Sequence, residues 1–251
     1  HDADALPDVV AGEGHHGLSG HLREVRRRVV PGHPEAGGGE ADWRWEELAM
    51  PLPEPYYSDE SVTIYHADCR DILPLLEPGS IDLVLTDPPY DVPVKYQGAN
   101  GTYPRSWGDL LVMEPFFVDV FKQIKRVTRA TGQVYIQCNA ETYTVFFKAS
   151  YSIWPASHLI VWYKPSGRRG KGWLHAHELI LHLATEYTQY VSAFRQDVIG
   201  VMPVRTLRRQ HPAEKPGELL SFLMDAVASP NPIVLDPFLG GGATLRAAKD
   251  L

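Results

Sequence analysis

Ile81-Asp82-Leu83-Val84-Leu85-Thr86-Asp87-Pro88-Pro89-Tyr90 is a short apolar run that ends in a rigid turn. A run of this length bounded by turn residues is expected of a parallel strand buried on both faces. Two consecutive prolines fix φ and remove two backbone donors, so the strand stops there. In a doubly wound sheet, ligands bind off the carboxyl ends of strands. Thr86–Tyr90 occupies that position.

On either side of this segment, strands and helices alternate. Val62–Tyr65, Gln133–Cys138, His158–Tyr163, Glu178–Leu183 and Ile233–Leu235 read as strands. Arg70–Leu76, Glu114–Thr128, Thr142–Ser150, Glu218–Ala228 and Ala243–Leu251 carry apolar residues at helical spacing, and Gly132 reads as the stop after the second of these. Residues 91–109 form a loop rich in Gly and Pro. The alternation indicates an α/β fold on a doubly wound, mostly parallel sheet. Residues 1–49, with Gly37-Gly38-Gly39 and the basic run Arg26-Arg27-Arg28, read as a poorly structured tail ahead of a domain spanning 50–251.

The 251 residues are long enough for a sizeable core. No apolar run is long enough to span a bilayer. No basic start with an apolar h-region marks a secretory signal. Cys69 and Cys138 are too few for a disulfide scaffold and fit a reducing compartment. The net charge of -7 argues against a general nucleic-acid coat protein. Its distribution does not. Between Ile160 and Lys215, nine bases (Lys164, Arg168, Arg169, Lys171, Arg195, Arg205, Arg208, Arg209, Lys215) face four acids (Glu178, Glu186, Asp197, Glu214). A local basic stripe on an acidic chain suits a phosphate backbone, and it also suits an ordinary solvated surface.

Asp87, the carbonyl of Pro88 and the ring of Tyr90 answer one chemical problem. The lone pair of a nucleobase's exocyclic amine is delocalised into the ring. Fixed acceptors for both N–H groups localise it, an effect of several kcal/mol by analogy with preorganised oxyanion donors. Tyr90 offers a face for the base, which must leave the duplex to reach it. A Pro-Pro turn that merely closes a strand would look the same. Val234-Leu235-Asp236-Pro237-Phe238-Leu239-Gly240-Gly241-Gly242-Ala243-Thr244 adds a strand, a glycine loop and a helix start. It is neither a P-loop nor a full dinucleotide fingerprint. His211-Pro212-Ala213-Glu214-Lys215-Pro216 is a charged turn ahead of helix 218–228.

Together these three motifs resemble the DNA amino-methyltransferases over roughly residues 56–251. Their order, with the Asp-Pro-Pro-Tyr turn before the glycine loop, resembles the circularly permuted β group. The resemblance implies a Rossmann-like sheet, S-adenosylmethionine as cofactor, double-stranded DNA as substrate, and direct transfer of a methyl group to adenine N6 or cytosine N4. It assigns Asp87, Pro88, Pro89 and Tyr90 to the target base. It assigns Asp68, His211, Lys215, Asp236, Pro237, Phe238, Gly240, Gly242 and Thr244 to the cofactor. Asp rather than Ser at position 87 favours adenine N6, and a glutamine-amide enzyme would carry Asn there. Neither cysteine lies in the Pro-Cys context of cytosine C5 enzymes.

Recognition of DNA is expected from a small insertion near 164–210, with Lys164, Arg168, Arg169, Lys171, Trp173, Arg205 and Arg208 as contacts. Trp173 reads equally as a stacking wedge or a core aromatic. His175, His177, Glu178 and His182 lack the spacing that puts two imidazoles on one helical face, so no metal site is expected. The family normally continues past the helix at 243–251 into a strand whose acid holds the cofactor ribose. That strand lies between 233–235 and 62–65, so a C-terminal truncation or a partner segment filling the gap is expected. A cytoplasmic, prokaryotic or phage enzyme, monomeric or dimeric and linked to restriction-modification with a restriction endonuclease partner, completes the expectation. An incomplete domain that binds DNA without catalysis is the alternative class.

Overall fold

A computed structural model describes residues 51–89, 110–169, 172–191, 195–204, 214–229 and 231–250. Tyr90, Lys171, Arg205, Arg208 and His211 lie outside these residues, as does the 1–49 segment. The elements in chain order are β1 (Tyr57–Ser58), β2 (Thr63–Ile64), α1 (Cys69–Ile72) with a 3-10 turn at Leu73–Leu75, β3 (Ile81–Thr86), α2 (Leu110–Val127), β4 (Thr128–Cys138), α3 (Ala140–Tyr151), β5 (Ala156–Arg169), β6 (Leu174–Ala184), β7 (Val198–Gly200), α4 (Gly217–Met224), β8 (Val234–Leu235) and α5 (Ala243–Lys249). Among the described residues no helix is long and apolar enough to cross a membrane.

Six strands form one sheet in the order β7-β5-β6-β4-β3-β8. β8, β3 and β4 run parallel, β5 and β7 run parallel to each other, and β6 runs against both of its neighbours. The sheet is thus mixed and mostly parallel, as the alternation of elements predicts. Two features differ from the expectation. The strands at 158–163 and 178–183 are the middles of one long antiparallel pair. The strand expected at 62–65 stands outside the main sheet and pairs with β1. Its ribbon is tied to α5 by an ion pair between Asp59 and Lys249. Among the described residues β8 pairs only with β3.

Each face of the sheet buries a separate apolar layer. Val84, Val134, Ile136, Cys138, Leu181 and Leu183 pack against α2 and α3 through Phe117, Phe121, Ile124 and Phe146. Phe117 and Phe146 meet edge to face at 4.6 Å between centroids. Leu83, Leu85, Tyr135, Trp162 and Ile180 pack against α4 and α5 through Leu219, Leu220, Leu223 and Ala247. Period-two alternation along buried strands sends consecutive residues to opposite layers. That is why β3 reads as a continuous apolar run in sequence.

Asp82 is the exception in β3, and it is buried. Its carboxylate accepts from the backbone N–H of Ile233 at 2.9 Å and pairs with Arg129. It therefore fastens the segment entering β8 to β3. Gly132 does not end a helix. α2 stops at Val127, and Gly132 lies within β4. A Cβ there would stand 2.8 Å from the carbonyl oxygen of Asp82, so close approach of two backbones requires glycine. α3 begins with a reciprocal capping box, in which Asn139 Oδ1 accepts from the N–H of Thr142 at 2.8 Å and Thr142 Oγ1 accepts from the N–H of Asn139 at 3.0 Å.

Candidate active site

The carboxyl ends of β3 and β8 lie side by side, because Leu83 and Val84 pair in parallel with Val234 and Leu235. This places the turn after β3 against the turn after β8. Thr86 Oγ1 donates to Asp236 Oδ1 at 2.6 Å. The same oxygen accepts from the N–H of Phe238 at 3.1 Å, and Thr244 at the start of α5 also bonds Asp236. Burial pushes the Asp236 carboxyl up to about 6, the hydrogen bonds from Thr86, Thr244 and Phe238 oppose that rise, and the nearby charge of Asp87 adds to it.

The loop that follows is built for close approach. Gly240 and Gly242 hold φ of 53° and 73°, which side-chain-bearing residues rarely adopt. The ring of Phe238 lies 6.3 Å from those of Phe116 and Phe117 and forms an apolar wall beside the loop. Arg246 clamps the loop by donating to the carbonyl of Gly241 at 2.7 Å and to Glu214 at 2.7 Å. Asp68 reaches the same region indirectly. It caps α1, and its partner Arg70, bonded at 2.6 Å, lies over the Phe116 ring at 5.2 Å.

Asp87 is half-buried, Pro88 is buried and Pro89 is exposed. Asp87 Oδ2 accepts a hydrogen bond from the ammonium of Lys215. Asp87 Oδ1 is buried and has no hydrogen-bond partner among the described residues. Lys215, which the resemblance assigns to the cofactor, thus also meets the carboxylate of the Asp-Pro-Pro turn. The side chain of Lys215 is only 7% exposed, and its second carboxylate is Glu178 Oε2 at 3.7 Å. Glu178 in turn pairs with Lys164, whose ammonium also lies 4.3 Å from the centroid of the Trp162 ring.

The residues expected to touch DNA therefore divide. Lys164 is turned inward to Glu178. Trp173 is 84% exposed at the β5–β6 connection, which excludes a core role. Arg168 and Arg169 pair in register with His175 and Leu174 near that same connection. The histidines do not gather. His175 and His177 are exposed, whereas His182 is buried, stacked on Tyr135 at 4.6 Å. Burial, with the charge of His158 second, lowers its pKa to about 4. Cys69 and Cys138 are both pushed up to about 12, chiefly by burial, so neither is a ready nucleophile.

Thr86 and Glu178 are functional candidates to which motif reading gave no role at this site. A signal for Glu178 exists. It is in phase with Ile180 on the α4-facing side of β6, while Lys164 is in phase with Trp162 on the neighbouring strand. Opposite charges set into the apolar phase of adjacent strands mark a buried pair. A cavity of about 250 Å³ lined by Tyr151, Trp154, Pro155 and Leu183 lies at the start of β5 and the end of β6. Because β6 is antiparallel to β4, that is the end of the sheet opposite Asp87.

Two motif turns are thus locked at adjacent strand ends, with a buried acceptor on one and a glycine loop on the other. The family model for DNA methylases matches residues 81–251. The chain belongs to the DNA methylase family. It is similar to the type II methyltransferase M.BglII of Bacillus subtilis, at 24% identity over 82% of this chain and 67% of that protein. It is also similar to the DNA adenine methyltransferase YhdJ of Escherichia coli, at 26% identity over 75% of this chain and 74% of that protein. Among solved structures, the fold matches the PvuII cytosine-N4-specific DNA methyltransferase with a TM-score of 0.61 and 16% identity, over 78% of this chain and 80% of that one. This DNA methylase shares the family's Rossmann-like α/β architecture.

Proposed function

We propose that this DNA methylase transfers a methyl group from S-adenosylmethionine to N6 of adenine in double-stranded DNA. The observation that carries the reading is Asp87, with Oδ2 engaged by Lys215 and Oδ1 buried without a hydrogen-bond partner among the described residues. A buried, unsatisfied acceptor costs about 1–3 kcal/mol, and an incoming N–H recovers it. An exocyclic amine supplies that N–H. Asp rather than Ser at position 87 favours adenine as its owner.

The residues beside Asp87 fit the methyl donor. Phe238 provides an apolar wall, Asp236 and Thr244 provide polar groups, and Gly240 and Gly242 present no side chain to bar approach. When bound, S-adenosylmethionine supplies an electrophilic methyl group on a sulfonium. The chain's own residues do the rest. Asp87 Oδ1 and the Pro88 carbonyl accept the two N–H groups and localise the lone pair on the attacking nitrogen. Tyr90 stacks on the base, returning about 1–3 kcal/mol of the cost of unstacking it. Trp173, Arg168 and Arg169, at the β5–β6 connection, are the residues assigned to the duplex in this reading.

The test is incubation of the protein with S-adenosylmethionine and unmethylated duplex DNA, followed by nucleoside digestion and mass spectrometry. N6-methyladenine is expected. N4-methylcytosine would replace the adenine reading with cytosine, the substrate named for the PvuII enzyme. No methylated nucleoside would contradict both.

A further inference from the structure

Asp87 stands at one end of a row of four alternating charges. Lys215 takes Asp87 Oδ2 and lies 3.7 Å from Glu178 Oε2, and Glu178 Oε1 takes Lys164. The row crosses the sheet from β3, through the segment that enters α4, to β6 and β5. The Lys215 and Lys164 side chains are 7% and 17% exposed, and that of Glu178 is 27% exposed. A largely buried ammonium is tolerated only when paired. Two carboxylates and two ammonium groups leave the row neutral in sum. Behind it, Trp162 is fixed by a 2.9 Å hydrogen bond from its Nε1 to the carbonyl of Val201 and backs the Lys164 ammonium.

The order of the charges has a consequence for the first member. Lys215 is drawn toward two carboxylates. Without Glu178, the ammonium would lose one charge that draws it away from the second oxygen of Asp87. With Glu178 in place it sits between the two acids and touches one Asp87 oxygen, leaving the other bare. Lys164 engages the far oxygen of Glu178 and limits its rotation in the same way. The Oε2 atom of Glu178 is buried with no hydrogen-bond partner among the described residues, so its interaction with Lys215 is that of charge at 3.7 Å.

We propose that Glu178 and Lys164 are positioning residues for Asp87, acting through Lys215 to keep Oδ2 occupied and Oδ1 open to the amine. The inference rests on the reading of Asp87 as the amine acceptor. It gives a structural purpose to two charges set inside the apolar phase of β5 and β6, and it extends the working site to the second and third strands beyond β3.

The test is kcat on unmethylated duplex DNA, where Glu178→Gln and Lys164→Met should lose about tenfold or more while KM for S-adenosylmethionine changes by less than about threefold. Lys164→Arg keeps the charge and should restore kcat.

A kcat loss at nearly constant KM, rescued by arginine, supports the proposal. A kcat that stays at the wild-type value in folded Glu178→Gln and Lys164→Met proteins overturns it, leaving the row as a structural tie. If Glu178→Gln fails to fold, the Lys164 pair decides the same question. Absence of methyl transfer by the wild-type chain would overturn the methylase reading itself, whereas wild-type transfer that the variants fully retain overturns only the role of the row.

Discussion

Thr86 Oγ1 donates a 2.6 Å hydrogen bond to Asp236 Oδ1, joining the end of β3 to the turn after β8 across 150 positions of sequence. The bond couples the Asp-Pro-Pro turn to the glycine loop. It also holds a carboxylate that burial would otherwise neutralise. Thr86→Val keeps the side-chain shape and removes the donor. A hydrogen bond to a charged group is worth about 1.5–3 kcal/mol. Affinity for S-adenosylmethionine, measured by isothermal titration calorimetry, should fall about tenfold. Unchanged affinity would mean that Asp236 is held without Thr86.

Asp236 sets a conflict between stability and function. Its carboxyl is raised from the ordinary value near 3.8 to about 6, first by burial. The folded state therefore binds the proton more tightly than the unfolded state. The contribution of this group to stability is complete below pH ~4 and is lost as pH rises through ~6. Asp236→Asn, which cannot ionise, should melt higher than wild type at pH 7.5 and equally at pH 4. It should also bind S-adenosylmethionine more weakly. A lower Tm at pH 7.5 would show that the charge stabilises the fold.

His182 acts in the opposite direction. Its pKa is lowered from 6.5 to about 4 by burial, with His158 second. Its neutral form is the stable one, so stability is present above pH ~6.5 and is lost as pH falls toward ~4. His182→Phe preserves the stack on Tyr135. The variant should show a flatter decline of Tm between pH 6.5 and 4 than wild type. An identical decline would place the acid sensitivity elsewhere.

The α2–α3 layer rests on Phe117, which is fully buried and contacts the rings of Phe116, Phe121, Phe146 and Phe238. Phe117→Ala should cost about 3–5 kcal/mol in urea unfolding. Because Phe117 also backs Phe238, the variant should bind S-adenosylmethionine less tightly even where it remains folded. A loss below about 1 kcal/mol would show that the layer collapses to fill the space.

Local patterns were readable in the sequence and long-range pairings were not. β3, with all six residues buried, follows from its apolar run and the Pro-Pro stop. The glycine loop follows from residues 236–244 alone. By contrast, the ammonium of Lys215 meets Asp87 across 128 positions, and no spacing rule relates the two. Its motif suggested the cofactor, because a family motif says what is near a ligand and not which atom it touches. β7 has only three residues, too few to show a period. Gly132 resembled a helix stop because a glycine required by a neighbouring backbone and one required by a cap look alike in one dimension.

Asp87→Asn tests the account most directly. The substitution keeps the shape of the side chain and removes the charge that Lys215 holds on Oδ2. Methyl transfer to unmethylated duplex DNA and binding of S-adenosylmethionine are measured on the same preparation. The account predicts a loss of about a hundredfold or more in transfer, the scale of deleting one preorganised hydrogen-bonding group, with cofactor affinity within threefold of wild type. Transfer at the wild-type rate by the asparagine variant would contradict the assignment of Asp87 as the acceptor of the amine.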